Sequence, residues 1–508
     1  MNNYAKQGEA MRKKSKWIGL LLLLSLFAFI KIPNVNAQTD DSLQKVKERG
    51  TLIVGTSADN PPKEYIRMNN GKEEIVGFDI DIAKRIAEEL GVELKVTNMK
   101  FDGLIPSLQQ GDFDMALAGF NPTPERKKVV SFSDSYHNLP FVILTTKDKT
   151  DNFTTLDTLT GKQVAVQKGS TQETILNDYI GNAKAVSLGD LPEVIAEVNA
   201  GTVDAGIVGY LSARNYLDVY PNLVMTDIKI DVPEEKTAQT IAFPKDSQAL
   251  VSEVNKIIEQ MRKNGEIKQL LEKNIAAAKV GDVDDRSTLE VYGSLFLKGT
   301  VTTIAVAFVC VILGTLLGVI VALIRLSKNK IIASLAALYI QILRGTPSLL
   351  QIFIFYFGIS AVIRIPTIYI GDVNLARLIP GCIALSINSS AYVAEIIRSG
   401  IQAVDKGQSE AGYSLGMSKK LTMREIILPQ AIRNILPALG NEFISMVKET
   451  SLLSIIAVSE LMFVADTVKA ATYKTMEALL IAAVIYFIIT GVVTLLVGKM
   501  EKKFSKSR

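Results

Sequence analysis

Hydrophobic and polar positions follow two rhythms along this chain, and the rhythm changes near residue 290. Upstream, from Thr51, short apolar runs such as Leu52-Ile53-Val54 give way to loops and then to apolar positions at helical spacing. Gly77-Phe78-Asp79-Ile80-Asp81 opens a predicted helix that runs through Leu90. A strand is expected over 93–96, a helix over 104–110 and a strand over 115–118. Short strands alternating with helices predict a mostly parallel sheet, with ligand contacts from loops at the strands' carboxyl ends. The same grammar restarts at Gln163-Val164-Ala165-Val166 and again at Val203-Asp204-Ala205, which suggests a second lobe.

Beyond Tyr292 the apolar runs lengthen to the roughly 20 residues needed to cross a bilayer. Five spans are expected, over 296–325, 333–363, 376–397, 436–462 and 478–498. With the polar half outside, the first span runs inward and delivers Arg325, Lys328 and Lys330 to the cytoplasm. The second returns outward to a short loop at Gly371-Asp372, and the third runs inward to the basic stretch 398–433. The fourth goes out and the fifth comes in to Lys499, Lys502, Lys503, Lys506 and Arg508. Every basic cluster then lies inside, as the positive-inside rule requires. An even number of spans would put one of the two largest clusters outside.

The amino end adds a leader. Arg12, Lys13, Lys14 and Lys16 precede an apolar run from Trp17 to Ile30, and Val35-Asn36-Ala37 follows. A basic start, a short apolar core and a small-residue site read as a secretory signal, with an uncleaved anchor helix as the alternative. Either way, residues from Gln38 onward are expected outside the membrane. No cysteine follows the apolar core, which excludes a lipoprotein anchor.

Composition narrows the classes. The 508 residues are 48% hydrophobic with a net charge of only +4, and no Lys/Arg run is interleaved with aromatics as a nucleic-acid groove needs. Both cysteines, Cys310 and Cys382, lie in apolar segments, so the outer domain carries no disulfide. A single histidine, His137, leaves no zinc ligand set.

Ordered motifs occur at 76–82 and 101–108, Ala118-Gly119, Glu125-Arg126-Lys127-Lys128, Phe132-Ser133-Asp134, Gln172-Glu173-Thr174-Ile175 and Ile241-Ala242-Phe243-Pro244. Together they resemble the polar amino-acid solute-binding proteins of bacterial ABC importers. The likeness covers nearly all of 45–275 and implies two lobes, one about 45–142 with 241–277 and the other about 143–240. The chain would cross between them near 140–144 and 237–241, and hinge motion would close them on ligand. Carried over, Phe101 would be an aromatic wall with Phe120 beside it, and Gly119 and Asn121 would give polar contacts. Arg126 would clamp the ligand's α-carboxylate, because a guanidinium meets a carboxylate through two parallel hydrogen bonds. Ser170 and Thr171 would bond the same carboxylate, with Gln167 nearby. Three positions depart from the family. Asn60 stands where an aromatic is usual, Lys63 replaces an apolar residue, and Gly209 replaces the acid that normally holds the α-ammonium. Asp59 or Glu64 could substitute, or the ligand could lack a conventional α-amino group.

The second half carries a different resemblance. Glu410-Ala411-Gly412, Leu415-Gly416 and Ile427-Leu428-Pro429-Gln430-Ala431 resemble the coupling segment of ABC importer permeases, a cytoplasmic helix-turn-helix that docks on the ATPase. Small residues permit close approach, and Gly416 permits the turn. Arg344-Gly345-Thr346-Pro347 and Lys448-Glu449-Thr450-Ser451-Leu452 look like the histidine/glutamine/arginine permease branch. The resemblance implies a multidomain fold: residues 38–280 as an α/β two-lobed periplasmic-binding-protein-like domain, a linker over 281–295, and an all-α transmembrane permease over 296–508. It implies a transporter subunit in the cell membrane rather than an enzyme, with an amino-acid ligand and no nucleic-acid partner.

Intramembrane Arg344, Glu442, Lys448 and Glu449 could line the pathway or dimer seam, or form structural ion pairs such as Lys448 with Glu449 or Glu442. No G-x-x-x-x-G-K-[ST] occurs, so ATP and magnesium would belong to a separate ATPase, and one permease half per chain implies a homodimer. A ligand-gated channel is disfavoured because the receptor ends before the membrane and no TVGYG-type filter occurs. An enzyme on the same fold lacks a nucleophile–base pair, and a sensor would need a cytoplasmic signalling domain.

Overall fold

The computed structural model describes residues 40–69, 72–278, 287–363, 365, 368–370, 373–472 and 474–505. The leader over 1–37, the loop at Gly371-Asp372 and the terminal Lys506 and Arg508 lie outside the described residues.

Lobe 1 is a sheet of β1 (Thr51–Thr56), β5 (Glu93–Asn98), β6 (Met115–Phe120), β7 (Val130–Phe132) and β14 (Ala238–Pro244), ordered β5-β1-β6-β14-β7. The first three are parallel, with Leu52 opposite Leu94 and Val54 opposite Met115, while β14 runs antiparallel to both neighbours. A separate small antiparallel sheet joins β2 (Asp59–Asn60), β3 (Glu64–Asn69) and β4 (Lys72–Val76), and β8 (His137–Asn138) pairs with β14. Lobe 2 repeats the plan with β9 (Phe141–Thr146), β10 (Gln163–Gln167), β11 (Lys184–Leu188), β12 (Ala205–Gly209) and β13 (Leu223–Met225), ordered β11-β10-β12-β9-β13. In each lobe the strand arriving from a crossing, β9 or β14, enters antiparallel. The sheets are therefore more mixed than an alternating strand–helix pattern predicts. The crossings run from β8 to β9 and from β13 to β14. Each lobe has its own core: Val54, Phe78, Ile82 and Ile258 in lobe 1, Ile143, Val164, Val166 and Ile207 in lobe 2.

The second half is helical. Thr288–Arg325 and Thr475–Met500 are each long and apolar enough to span a membrane alone. The first opens on a capping box in which Ser287 and Glu290 satisfy each other's backbone N–H groups. It packs on the helix Leu375–Gln402 where Gly314 meets Ser389 and Gly318 meets Val393, small residues that bring the two backbones together.

The span expected over 333–363 is not one straight helix. It is two, Lys330–Gly345 and Ser348 onward, bent by 105°. Pro347 cannot donate to the helix ladder, and it forces Thr346 into an extended conformation (φ −117°, ψ 145°). The fourth apolar run also bends, by 50°, after Ile456, where Ala457 adopts a left-handed φ of 55°. A further helix, Leu461–Thr472, then leads to the last one and lies against lobe 1 through Phe463, which packs with Met99 and Leu104.

Candidate functional site

The two lobes meet across a cleft lined by Asn60, Phe101, Gly119, Asn121, Gln167, Ser170, Thr171 and Gly209, eight of the ten ligand-site positions expected from sequence. The other two stand behind the lining. Phe120 is fully buried and stacks on Phe101 with ring centroids 5.0 Å apart. Arg126 lies over both rings, 5.6 Å from the Phe101 centroid and 5.4 Å from that of Phe120.

Arg126 is placed by a short helix, Pro124–Val129, capped by Thr123. One terminal nitrogen donates to the Asn121 carbonyl at 3.0 Å and to Thr171 Oγ1 at 3.3 Å, and the other to the Gly169 carbonyl at 2.9 Å. The guanidinium thus ties lobe 1 to lobe 2. Burial lowers its pKa to about 10, against the upward pull of Glu125. It stays charged at neutral pH. Thr171 begins the helix Thr171–Tyr179, and Ser170 caps it by accepting from Glu173 N at 3.3 Å. Backbone N–H groups at such a helix start favour an anion.

The opposite wall carries the departures. Asn60 donates to Glu64 Oε1 at 2.8 Å and accepts from Ser212. Asp59 has its Oδ2 taken by Gln167 Nε2 and Leu191 N, each at 3.1 Å, and its Oδ1 by Ser57 Oγ at 3.0 Å. Burial and then the neighbouring Asp190 push Asp59 up to about 7, against its hydrogen bonds and Lys469. Burial also pushes Glu64 well above the usual carboxylate range, opposed by Lys63 and reinforced by Asp79. Asp59 and Glu64 are the only carboxylates lining the cleft among the described residues. A Cβ at Gly209 would meet only Ser212 Oγ, at 3.7 Å, so a side chain fits there. The polar lining residues Gln239, on the crossing strand β14, and Ser212, after β12, were not expected as ligand contacts from sequence.

The coupling segment forms a helix, turn and helix. Lys406–Ser414 is capped by Asp405, and Lys419–Thr422 by Ser418. Gly416 sits between them at φ 78°, where Gly416 N donates to the Tyr413 carbonyl at 3.0 Å and Met417 N to that of Gly412 at 3.1 Å. Gly412 faces Thr422 so closely that a Cβ would lie 2.8 Å from its methyl. Gln430 Nε2 reaches Gln408 Oε1 at 3.1 Å and binds the segment to the Leu428–Glu449 helix. Glu410, Ala411 and Pro429 are exposed. So are Tyr413 and Leu415, the latter at 81%. Of the charged residues expected inside spans, Arg344 lies 5.2 Å over the Tyr392 ring and Glu442 accepts from Ser389 at 2.7 Å. Neither ion pair proposed for Lys448 forms among the described residues.

Two family models match in tandem. Residues 52–277 match bacterial extracellular solute-binding proteins, family 3, and residues 314–506 match the binding-protein-dependent transport system inner membrane component. Both are transporter families. A putative glutamine transport system permease protein of Rickettsia bellii is 39% identical over 207 residues, covering 41% of this chain and 91% of that protein. A nopaline transport system permease protein of Agrobacterium fabrum is 44% identical over 207 residues, covering 40% and 86%. An arginine-binding extracellular protein of Bacillus subtilis is 35% identical over 266 residues, covering 51% and 97%. The chain belongs to the amino-acid ABC importer family, and it joins in one polypeptide the solute-binding domain and the membrane permease that the family's members supply.

Proposed function

We propose that this chain captures a polar amino acid of the glutamine, glutamate or arginine kind outside the cell and passes it through its own permease half. In this reading the binding domain is extracellular, while the coupling segment and carboxyl end are cytoplasmic. A separate ATPase, holding the ATP and magnesium, docks on the coupling segment, and two copies of the chain complete the pathway. The observation that carries the ligand class is the wall opposite Glu64. There Arg126, stacked on Phe101 and Phe120, meets the start of the Thr171–Tyr179 helix, an arrangement that suits a carboxylate. The relatives named for arginine and glutamine support the same class.

The α-ammonium needs a carboxylate, and position 209 offers none. Both oxygens of Asp59 already accept protein hydrogen bonds, whereas Glu64 accepts from Asn60 at Oε1 and its buried Oε2 has no hydrogen-bond partner among the described residues. Glu64 is therefore the group assigned to the ammonium. The test is thermal unfolding of the full chain in detergent against a panel of L-amino acids. A ligand at about 100 times its Kd adds about 2.7 kcal/mol to stability. Stabilisation by one or a few polar amino acids is expected, and a flat response across the panel would reject the ligand class.

A further inference from the structure

The permease grips the two lobes of the binding domain with different groups. Lobe 1 rests on the bent helix Ser348–Val362 and on Leu375–Gln402. Tyr356 bonds the Asp112 carboxylate and lies 3.3 Å from Ser107 Oγ. Arg377, only 1% exposed, lies 3.9 Å from Asp112 and stacks over the Phe113 ring at 5.3 Å. Lobe 2 meets Lys469 of the Leu461–Thr472 helix. Its ammonium sits 2.6 Å from Asp190 and 2.8 Å from Glu193, with Asp466 of its own helix at 3.2 Å, and the side chain is 1% exposed. Asp466 also pairs with Lys100 of lobe 1 at 3.4 Å.

We propose that Lys469 is the permease's recognition residue for lobe 2, read by the paired acids Asp190 and Glu193. The lobe 2 acids occupy the start of the Leu191–Ala200 helix, which Asp190 caps by accepting from Glu193 N at 3.0 Å. That same helix start is held from the cleft side by Asp59 of lobe 1, through Leu191 N at 3.1 Å. One turn of helix is therefore pinned between a residue lining the ligand cleft and a residue of the permease. Asp59 also lines a further cavity, together with Asp190 and Asp466, that lies between the cleft and the Leu461–Thr472 helix. Opening the lobes would move Asp190 and Glu193 relative to Asp112 and so break one of the two grips. Lys469 would then lose both lobe 2 carboxylates and keep only Asp466 of its own helix.

The experiment uses spin labels on the full chain in lipid nanodiscs, in a C310A/C382A background. One label pair joins exposed Lys184 of lobe 2 to exposed Met476, and a control pair joins exposed Glu93 of lobe 1 to Met476. The unsubstituted latch should give narrow distance distributions for both pairs. K469E, and more mildly K469M, should deplete the narrow lobe 2 population about tenfold or more, as loss of a buried charge partner does, and leave the lobe 1 distribution in place. D190N/E193K/K469E reverses the pair and keeps a capping side chain, since Asn caps about as well as Asp. It should restore the narrow distance. Unchanged lobe 2 distances in both single variants would overturn the proposal. Equal loss of both lobes, or no recovery in the reversed pair, would overturn it too.

Discussion

Replacing Gly416 by Val tests the coupling segment with little disturbance elsewhere. Gly416 has a φ of 78°, and no atom lies within 4 Å of the position a Cβ would take. The cost is therefore in the turn's own backbone, not in a clash. A left-handed residue with a side chain costs about 1–2 kcal/mol, and a β-branched one is the worst case. The turn's two closing hydrogen bonds, to Tyr413 and Gly412, depend on that conformation. A penalty of about 2 kcal/mol shifts the turn's population roughly 30-fold. The exposed Leu415 beside it would swing away from any partner groove. Uptake and substrate-stimulated ATP hydrolysis in vesicles holding the full chain and its ATPase should fall by about that factor, with ligand affinity unchanged. Gly416→Asn should retain most activity, because Asn tolerates the left-handed region. Wild-type uptake by Gly416→Val, or equal damage by Asn, would refute the reasoning.

Other substitutions test the cleft. Arg126→Ala removes a buried charge that ties the lobes together and should weaken ligand binding by about 2–5 kcal/mol, read by calorimetry; near wild-type affinity would remove it from the site. Glu64→Gln should reduce binding of an amino acid far more than binding of its des-amino analogue. In that variant Gly209→Glu, for which space exists, should recover the loss; a shared loss for both ligands would show that Glu64 does not hold the ammonium. Asp59 is held up to about 7, whereas an unfolded aspartate titrates near ~3.9. Between those values the folded protein keeps a proton that the unfolded chain has lost, so this group's contribution to stability falls as pH rises from about 4 to 7 and is level above. Asp59→Asn should match wild type at pH 4.5 and exceed it at pH 8, by up to about 4 kcal/mol, in thermal unfolding. A constant difference across that range would place the group's pKa elsewhere.

The fold was legible where pattern and motif acted locally. Alternation of short strands with helices marked both lobes, and the long apolar runs marked the membrane half. What local pattern missed was geometry imposed by one residue or by distant chain. Pro347 lies within an apolar run that hydropathy reads as continuous, yet its missing N–H bends the helix pair by 105°. The antiparallel entry of β9 and β14 follows from the crossings, which join two sheets that share no local signal.

The cleft was legible because its residues lie in short motifs, each at the end of a strand or the start of a helix. The Lys469 cluster was not. Asp190, Glu193, Asp466 and Lys469 come from two domains, and each alone reads as an ordinary charge in a polar stretch. The expected topology nonetheless held a constraint that sequence reasoning left unused. If the fourth span runs outward and the fifth inward, the residues between them, 463–477, stand on the same side of the membrane as the binding domain. Lys469 stands there, 1% exposed, and pairs both with Asp466 of its own helix and with Asp190 and Glu193 of lobe 2. A fused receptor therefore differs from a free one in a physical respect. Its lobes are held at high local concentration near the permease, so each contact can be weak individually and still form.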